Sequence, residues 1–193
     1  MITRRNVTSL LLGGLAAGTT TGRALARTSA DQPGPFTPQE LVDAGHSFFG
    51  GVSRGLGTIV EEAGRRWGQP NGYILGQEAS GAFFGGLRYG EGKLFRRRGD
   101  GGGRIYWQGP SIGFDVGGEG ARQMMLIYNL DRAGMYRRFA ELDGSAYFVA
   151  GLGMSAATAG NTVVVPIRSG VGMRLGVALG YLKFTPTPTW NPF

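Results

Sequence analysis

The spacing of apolar positions along this chain changes once, near residue 72. Upstream, Thr37-Pro38-Gln39-Glu40 supplies a hydroxyl cap, a proline at the first helical position and a glutamate placed to close a capping box. Phe48, Val52, Leu56, Val60, Ala63 and Trp67 then recur every three or four residues, while Arg54, Thr58, Glu61 and Arg65 fall off that stripe. The pattern predicts an amphipathic helix that Gly68 and Pro70 terminate. Gly50, Gly51, Gly55 and Gly57 interrupt it, each costing roughly 1 kcal/mol against alanine. A break near Gly50-Gly51 into two helices packed on a sheet is therefore expected.

From Tyr73 onward, short β-branched and aromatic runs alternate with glycine, and only Asp131 to Phe139 reads as helical again. Ile112, Phe114 and Val116 oppose Gly113, Asp115 and Gly117. Phe148, Ala150, Leu152 and Met154 oppose Val149, Gly151 and Gly153; Met173, Leu175, Val177, Leu179 and Tyr181 oppose Arg174, Gly176, Ala178 and Gly180. Each such strand has a bulky and a small face. Bulky faces can fill a small closed sheet, and glycines permit the bends that closure demands. Gly99-Asp100-Gly101-Gly102-Gly103 and Gly160-Asn161 mark turns. The expected fold is mainly β with an N-terminal helical part (α+β): a small antiparallel barrel, closed or nearly so. Phe114, Tyr147 and Tyr181 are large enough to plug it.

The first 26 residues change the setting. Arg4 and Arg5 precede a moderately apolar run from Val7 to Ala17, and Ala24-Leu25-Ala26 offers a small-x-small cleavage site. This reads as an export signal removed after Ala26, with the paired arginines favouring the twin-arginine route over the general secretory one. The apolar run is shorter than the ~18 residues a spanning helix needs, so no transmembrane segment is expected in the mature chain. The expected division is signal 1–26, linker 27–36 and one domain 37–193: helical over 37–68, barrel over 72–184, and a proline-rich tail over 185–193.

Charge then matters less than it first suggests. The formal +7 arises from 20 Lys and Arg against 13 Asp and Glu; losing Arg4, Arg5 and Arg23 with the signal leaves 17 bases and +4. The remaining clusters at Arg65-Arg66, Arg96-Arg97-Arg98 and Arg137-Arg138 lack the aromatic interleaving of a nucleic-acid platform, and no nucleic-acid partner is expected. They read as solvated turns, with contact to anionic headgroups or cell-wall polymer as the alternative.

Candidate chemistry is sparse. The chain has no cysteine, which excludes disulfides, thiolate metal sites and thiol nucleophiles. His46 is the only histidine, and no serine stands in a G-x-S-x-G elbow. Neither a dinucleotide nor a phosphate-loop glycine motif occurs, and a calcium-loop spacing is missing, so no cofactor or metal is expected. Glu78, Glu91, Asp115 and Glu119 fall in the β region, where a pair could act on a glycan. Arg88, Arg174 and Asp115 share the small-residue phase, so a charge-paired structural patch there is the main alternative.

Several long strings carry a resemblance: GYILGQEASGAFFGGLRYGEG at 72–92, YWQGPSIGFDVGGEG at 106–120, MMLIYNL at 124–130, DGSAYFVAGLG at 143–153 and VPIRSGVGMRLGVALGYLKFTPTPTWNPF at 165–193. Together they resemble the EipA family, small periplasmic proteins tied to envelope integrity. The resemblance implies a small β-barrel preceded by helix, with a hairpin over it as a lid, and no established enzymatic activity. Gly85-Gly86-Leu87-Arg88-Tyr89-Gly90-Glu91-Gly92 followed by Trp107-Gln108-Gly109-Pro110 is more distantly similar to SYLF lipid-binding domains.

The expectation is a non-catalytic periplasmic protein supporting envelope integrity, through a lipid or other amphiphile, a peptidoglycan fragment or an envelope protein. A protein-contacting scaffold is the alternative; a glycan hydrolase or an outer-membrane barrel ranks below both, because Pro186, Pro188 and Pro192 oppose a long terminal strand. Candidate contact residues are Arg88, Trp107, Phe114, Asp115, Tyr147, Arg174 and Tyr181.

Overall fold

The computed structural model describes residues 34–50, 55–81, 86–97, 102–110, 121–130, 134–142, 145–169 and 180–191. The export signal with Arg4, Arg5, Ala24 and Ala26, and the candidates Phe114, Asp115 and Arg174, lie outside them.

Helix α1 (Pro38–Phe49) begins as the sequence predicts: Glu40 N–H donates to Thr37 Oγ1 at 3.3 Å, and Thr37 N–H donates back to Glu40 Oε2 at 2.8 Å. It stops at Gly50, whose φ of +80° suits a residue without a side chain. Helix α2 (Leu56–Trp67) follows, capped at its end by Gly68. Leu56, Val60 and Ala63 of the predicted stripe are buried, joined by Leu41 and Ile59. Gly45 lets Leu56 lie directly on the backbone of α1, where any added Cβ would collide with the leucine.

The strands are β1 (Gly72–Gly81), β2 (Leu87–Arg96), β3 (Arg104–Pro110), β4 (Ala121–Tyr128), β5 (Arg138–Glu141), β6 (Tyr147–Val149), β7 (Leu152–Met154), β8 (Ala157–Ala159), β9 (Thr162–Ser169) and β10 (Tyr181–Thr185). Every pairing is antiparallel. The order β4-β1-β2-β3-β10-β5-β8-β9 returns to β4 through a β4–β9 ladder, so these strands form a closed barrel. The hairpin β6–β7 stands outside this ring, joined through β7 to β9 and packed against α2.

The sheet forks at one place, with a local cause. β7 and β8 run along the same edge of β9 in one register, Met154 facing Ile167 and Ala157 facing Val164. Between them Ser155 N–H donates to the Pro166 carbonyl at 3.3 Å, but Pro166 has no N–H to return the bond. The strand is interrupted there. Its first half then pairs with β6 and its second with β5.

Two cores result. One lies between the helices and the outer face of β4, β7 and β9, built from Leu41, Leu56, Ile59, Leu126, Met154 and Ile167 among others. The other fills the lumen with Ile74, Leu94, Ile105, Trp107, Ile127, Phe139, Leu182 and Phe184. The Phe139 and Phe184 rings meet edge-to-face at 5.4 Å.

Three expectations need correcting. Phe148 to Met154 is not one strand but the β6–β7 hairpin, because Ala150 and Gly151 both take positive φ (48° and 80°), as a tight primed turn requires. Phe148 is consequently 41% exposed while Met154 is buried. The helix expected toward Phe139 is bends followed by β5, since Phe139 points into the lumen and its strand neighbours point out. Finally, the plugging residues are not Tyr147 and Tyr181. Tyr147 sits on β6, and Tyr181 takes the opposite phase to lumen-facing Leu182 and Phe184.

Candidate functional site

Gly76 on β1 and Gly90 and Gly92 on β2 take the lumen-facing phase that Ile74 and Leu94 also occupy. An added Cβ on Gly76 would lie 2.7 Å from Trp107 Cη2, and one on Gly90 would strike the same indole. The glycines make room for one large ring. Trp107, 1% exposed, crosses that space and donates its Nε1–H to Glu78 Oε2 at 2.8 Å.

Glu78 and Arg88 continue the same inward phase, so charge enters the lumen at this end of the barrel. Arg168 Nη2 approaches Glu78 Oε1 at 3.3 Å. With its nitrogen toward Glu78, the Gln123 amide donates at 2.9 Å and its oxygen accepts from Arg168 Nε at 3.3 Å. On another wall Arg88 pairs with Glu141 and donates to the Tyr181 carbonyl at 3.3 Å. The side chains of Arg88 and Glu141 are 5% and 3% exposed, so each ion holds the other in a desolvated setting. Arg88 is thus ion-paired in the lumen with Glu141, a residue outside the charge-paired patch expected with Asp115 and Arg174, which lie outside the described residues.

A second feature lies on the outer face. Gln77, Glu91 and Tyr106 stand in one cross-strand row, and Ala79, Tyr89, Gln108 and Lys183 in the next. The segment after β10 folds back over these rows. Tyr89 Oη donates to the Trp190 carbonyl at 3.0 Å, their rings lie 5.1 Å apart, and Lys183 Nζ donates to the Asn191 carbonyl at 3.2 Å. The tail thus forms a strap, and between it and the sheet runs a groove of about 320 Å³ lined by Gln77, Tyr89, Glu91, Tyr106, Gln108, Pro188, Thr189 and Trp190, among others. Trp190 is 76% exposed, whereas Gln108 is 1% exposed and its Nε2 has no hydrogen-bond partner.

Of the sequence candidates, Arg88 and Trp107 thus share the lumen. Tyr181 lies outside with the Arg138 guanidinium over its ring at 5.4 Å, and Tyr147 packs near Arg66 beside α2. Trp107, with the carboxylates Glu78 and Glu91 that the sequence also singled out, borders the groove as well. Tyr89, Tyr106, Gln108 and Trp190 were not among the sequence candidates, although the Tyr89-x-Glu91 and Tyr106-x-Gln108 alternations and a lone tryptophan in a proline-rich tail were available as signals. His46 is exposed on α1. Among the described residues, no cluster of three His, Asp or Glu could hold a metal ion, and no helix is long and apolar enough to cross a membrane.

No curated protein matches the chain in sequence. A solved structure described as a beta-barrel-like, uncharacterized protein from Brucella abortus is similar, with 53% identity, a TM-score of 0.74, and coverage of 82% of this chain and 99% of that one. The family described as Envelope integrity protein A matches residues 35–193. With that match spanning the helices, the barrel and the strap, the chain belongs to the EipA family, whose description ties it to integrity of the envelope.

Proposed function

We propose that this is a non-catalytic periplasmic protein that supports envelope integrity by binding a ligand on the strapped outer face of its barrel. The observation that carries this reading is the filled lumen: Trp107, Phe139 and Phe184 occupy the space in which a barrel would carry a lipid. Binding is thereby left to the surface, where the groove combines aromatic faces with a few polar groups. The word non-catalytic is supported by the use of the buried carboxylates, since Glu78 and Glu141 are each engaged by an arginine. A scaffold that contacts other proteins is the second reading, favoured by Leu142 and Phe148, 40% and 41% exposed near the outlying hairpin.

The test is genetic. Deleting the gene is expected to sensitise cells to detergents and cell-wall antibiotics, and a Trp190→Ala, Tyr89→Ala variant, present at normal levels, is expected not to restore resistance. Full restoration by that variant would remove the groove from the proposal, and a deletion without phenotype would remove the envelope role. Export through the twin-arginine route predicts that Arg4→Lys with Arg5→Lys strands folded precursor in the cytoplasm; normal arrival in the periplasm would point to the general secretory route.

A further inference from the structure

We infer that the groove under the C-terminal strap binds saccharide, and that its occupant is a strand of N-acetylated hexosamines, the chemistry of cell-wall glycan. This rests on the proposed binding role of the outer face and specifies what that face recognises.

The lining selects the ligand whose surface it can satisfy. Tyr89, Tyr106 and Trp190 offer aromatic surface beside Gln77, Glu91 and Gln108. A pyranose ring has the matching construction: apolar C–H faces that lie on aromatic rings, and a rim of hydroxyls that needs hydrogen-bonding partners at its edges. An acyl chain would meet the aromatic surface equally well but would leave the buried Gln108 amide without a partner. An anionic headgroup fares worse, because the groove lining contains Glu91 and no lysine or arginine.

Gln108 narrows the choice among sugars. It is one of the lining residues, and its Nε2 is buried without a partner beneath the groove surface; a buried donor is normally satisfied, so an occupant that reaches it shifts the lining slightly. Ring hydroxyls can also accept from an amide, but the carbonyl of an acetamido group is the stronger acceptor and projects from the ring on a short arm, so it suits a recessed donor better. The strap is held over the groove in part by Tyr89 Oη and Lys183 Nζ, which donate to the carbonyls of Trp190 and Asn191.

Titrating the isotope-labelled protein with chitotetraose, and separately with lysophosphatidylcholine micelles, tests this by NMR. The expected result is that chitotetraose shifts the Tyr89 and Gln108 signals and the Trp190 indole, and that Trp190→Ala weakens its binding roughly tenfold or more. Unaltered affinity in that variant, or shifts confined to other surfaces, would overturn the saccharide site. Silence toward chitotetraose with groove shifts from the micelles would overturn the sugar while leaving a binding groove. If neither ligand moves the groove signals, both the inference and the binding role beneath it fall.

Discussion

Ser145 Oγ accepts the Ala156 N–H at 2.8 Å while donating to the Leu142 carbonyl at 2.7 Å, and so fastens the point where β5 and β6 diverge. Ala156 is buried beside the strand interruption opposite Pro166. A backbone donor at a fork cannot use a ladder partner, so a side chain supplies the acceptor. Ser145→Ala should leave the Ala156 N–H unsatisfied and cost about 1 to 3 kcal/mol. Urea denaturation measures this; an unchanged midpoint would mean that water replaces the hydroxyl.

Gly90 and Trp107 form a second dependent pair. A methyl at residue 90 meets the indole in a filled lumen, so Gly90→Ala should destabilise by about 1 to 3 kcal/mol or more. Shrinking the ring should relieve part of that. Trp107→Phe is costly alone, because it removes volume and the hydrogen bond to Glu78, yet in the Gly90→Ala background it should cost measurably less. Additive effects in a double-mutant cycle would refute contact between the two sites.

The Arg88–Glu141 pair makes an asymmetric prediction. Arg88→Met leaves a carboxylate that is 3% exposed without its counter-ion and should cost about 3 to 5 kcal/mol. Adding Glu141→Leu should recover much of that loss, since replacing both ions removes the stranded charge. If the double variant is no more stable than Arg88→Met, the cost lies in packing at Gly109 and Tyr181 rather than in charge.

What the chain discloses before folding depends on how local the deciding interaction is. The Thr37 to Glu40 capping box and the stop at Gly50 each span a few residues, and both were legible. The Gly160-Asn161 turn likewise joins β8 to β9 as read, with Gly160 at φ +58°. The facing of β2 was not legible. Alternation separates Arg88, Gly90 and Gly92 from Tyr89, Glu91 and Lys93, but which set faces inward is decided by Trp107 on another strand. The β6–β7 turn was hidden for a related reason, since Ala150 carries a positive φ that its residue type does not advertise. The groove was least legible of all, because it forms only when Trp190 returns to Tyr89 across 101 positions.

Tyr128 supplies the last test, and it concerns pH. Its ring packs 6.1 Å from Trp67 in the core under the helices, 1% exposed, with the hydroxyl unpartnered. Burial pushes the hydroxyl above the ordinary phenol range, because the phenolate would lose its hydration there. The folded state therefore prefers the protonated form more strongly than the unfolded chain does. The corresponding stability is fully present below the unfolded tyrosine value of about 10, and declines as pH rises through the window above it. Tyr128→Phe removes both the titration and a buried polar atom without a partner. At neutral pH it should be neutral or stabilising by up to about 1 kcal/mol, and the variant should lose less stability than the parent between roughly pH 10 and 12. Parallel denaturation curves at neutral and alkaline pH measure the difference, and a variant destabilised at neutral pH would show that the hydroxyl holds a hydrogen bond in solution.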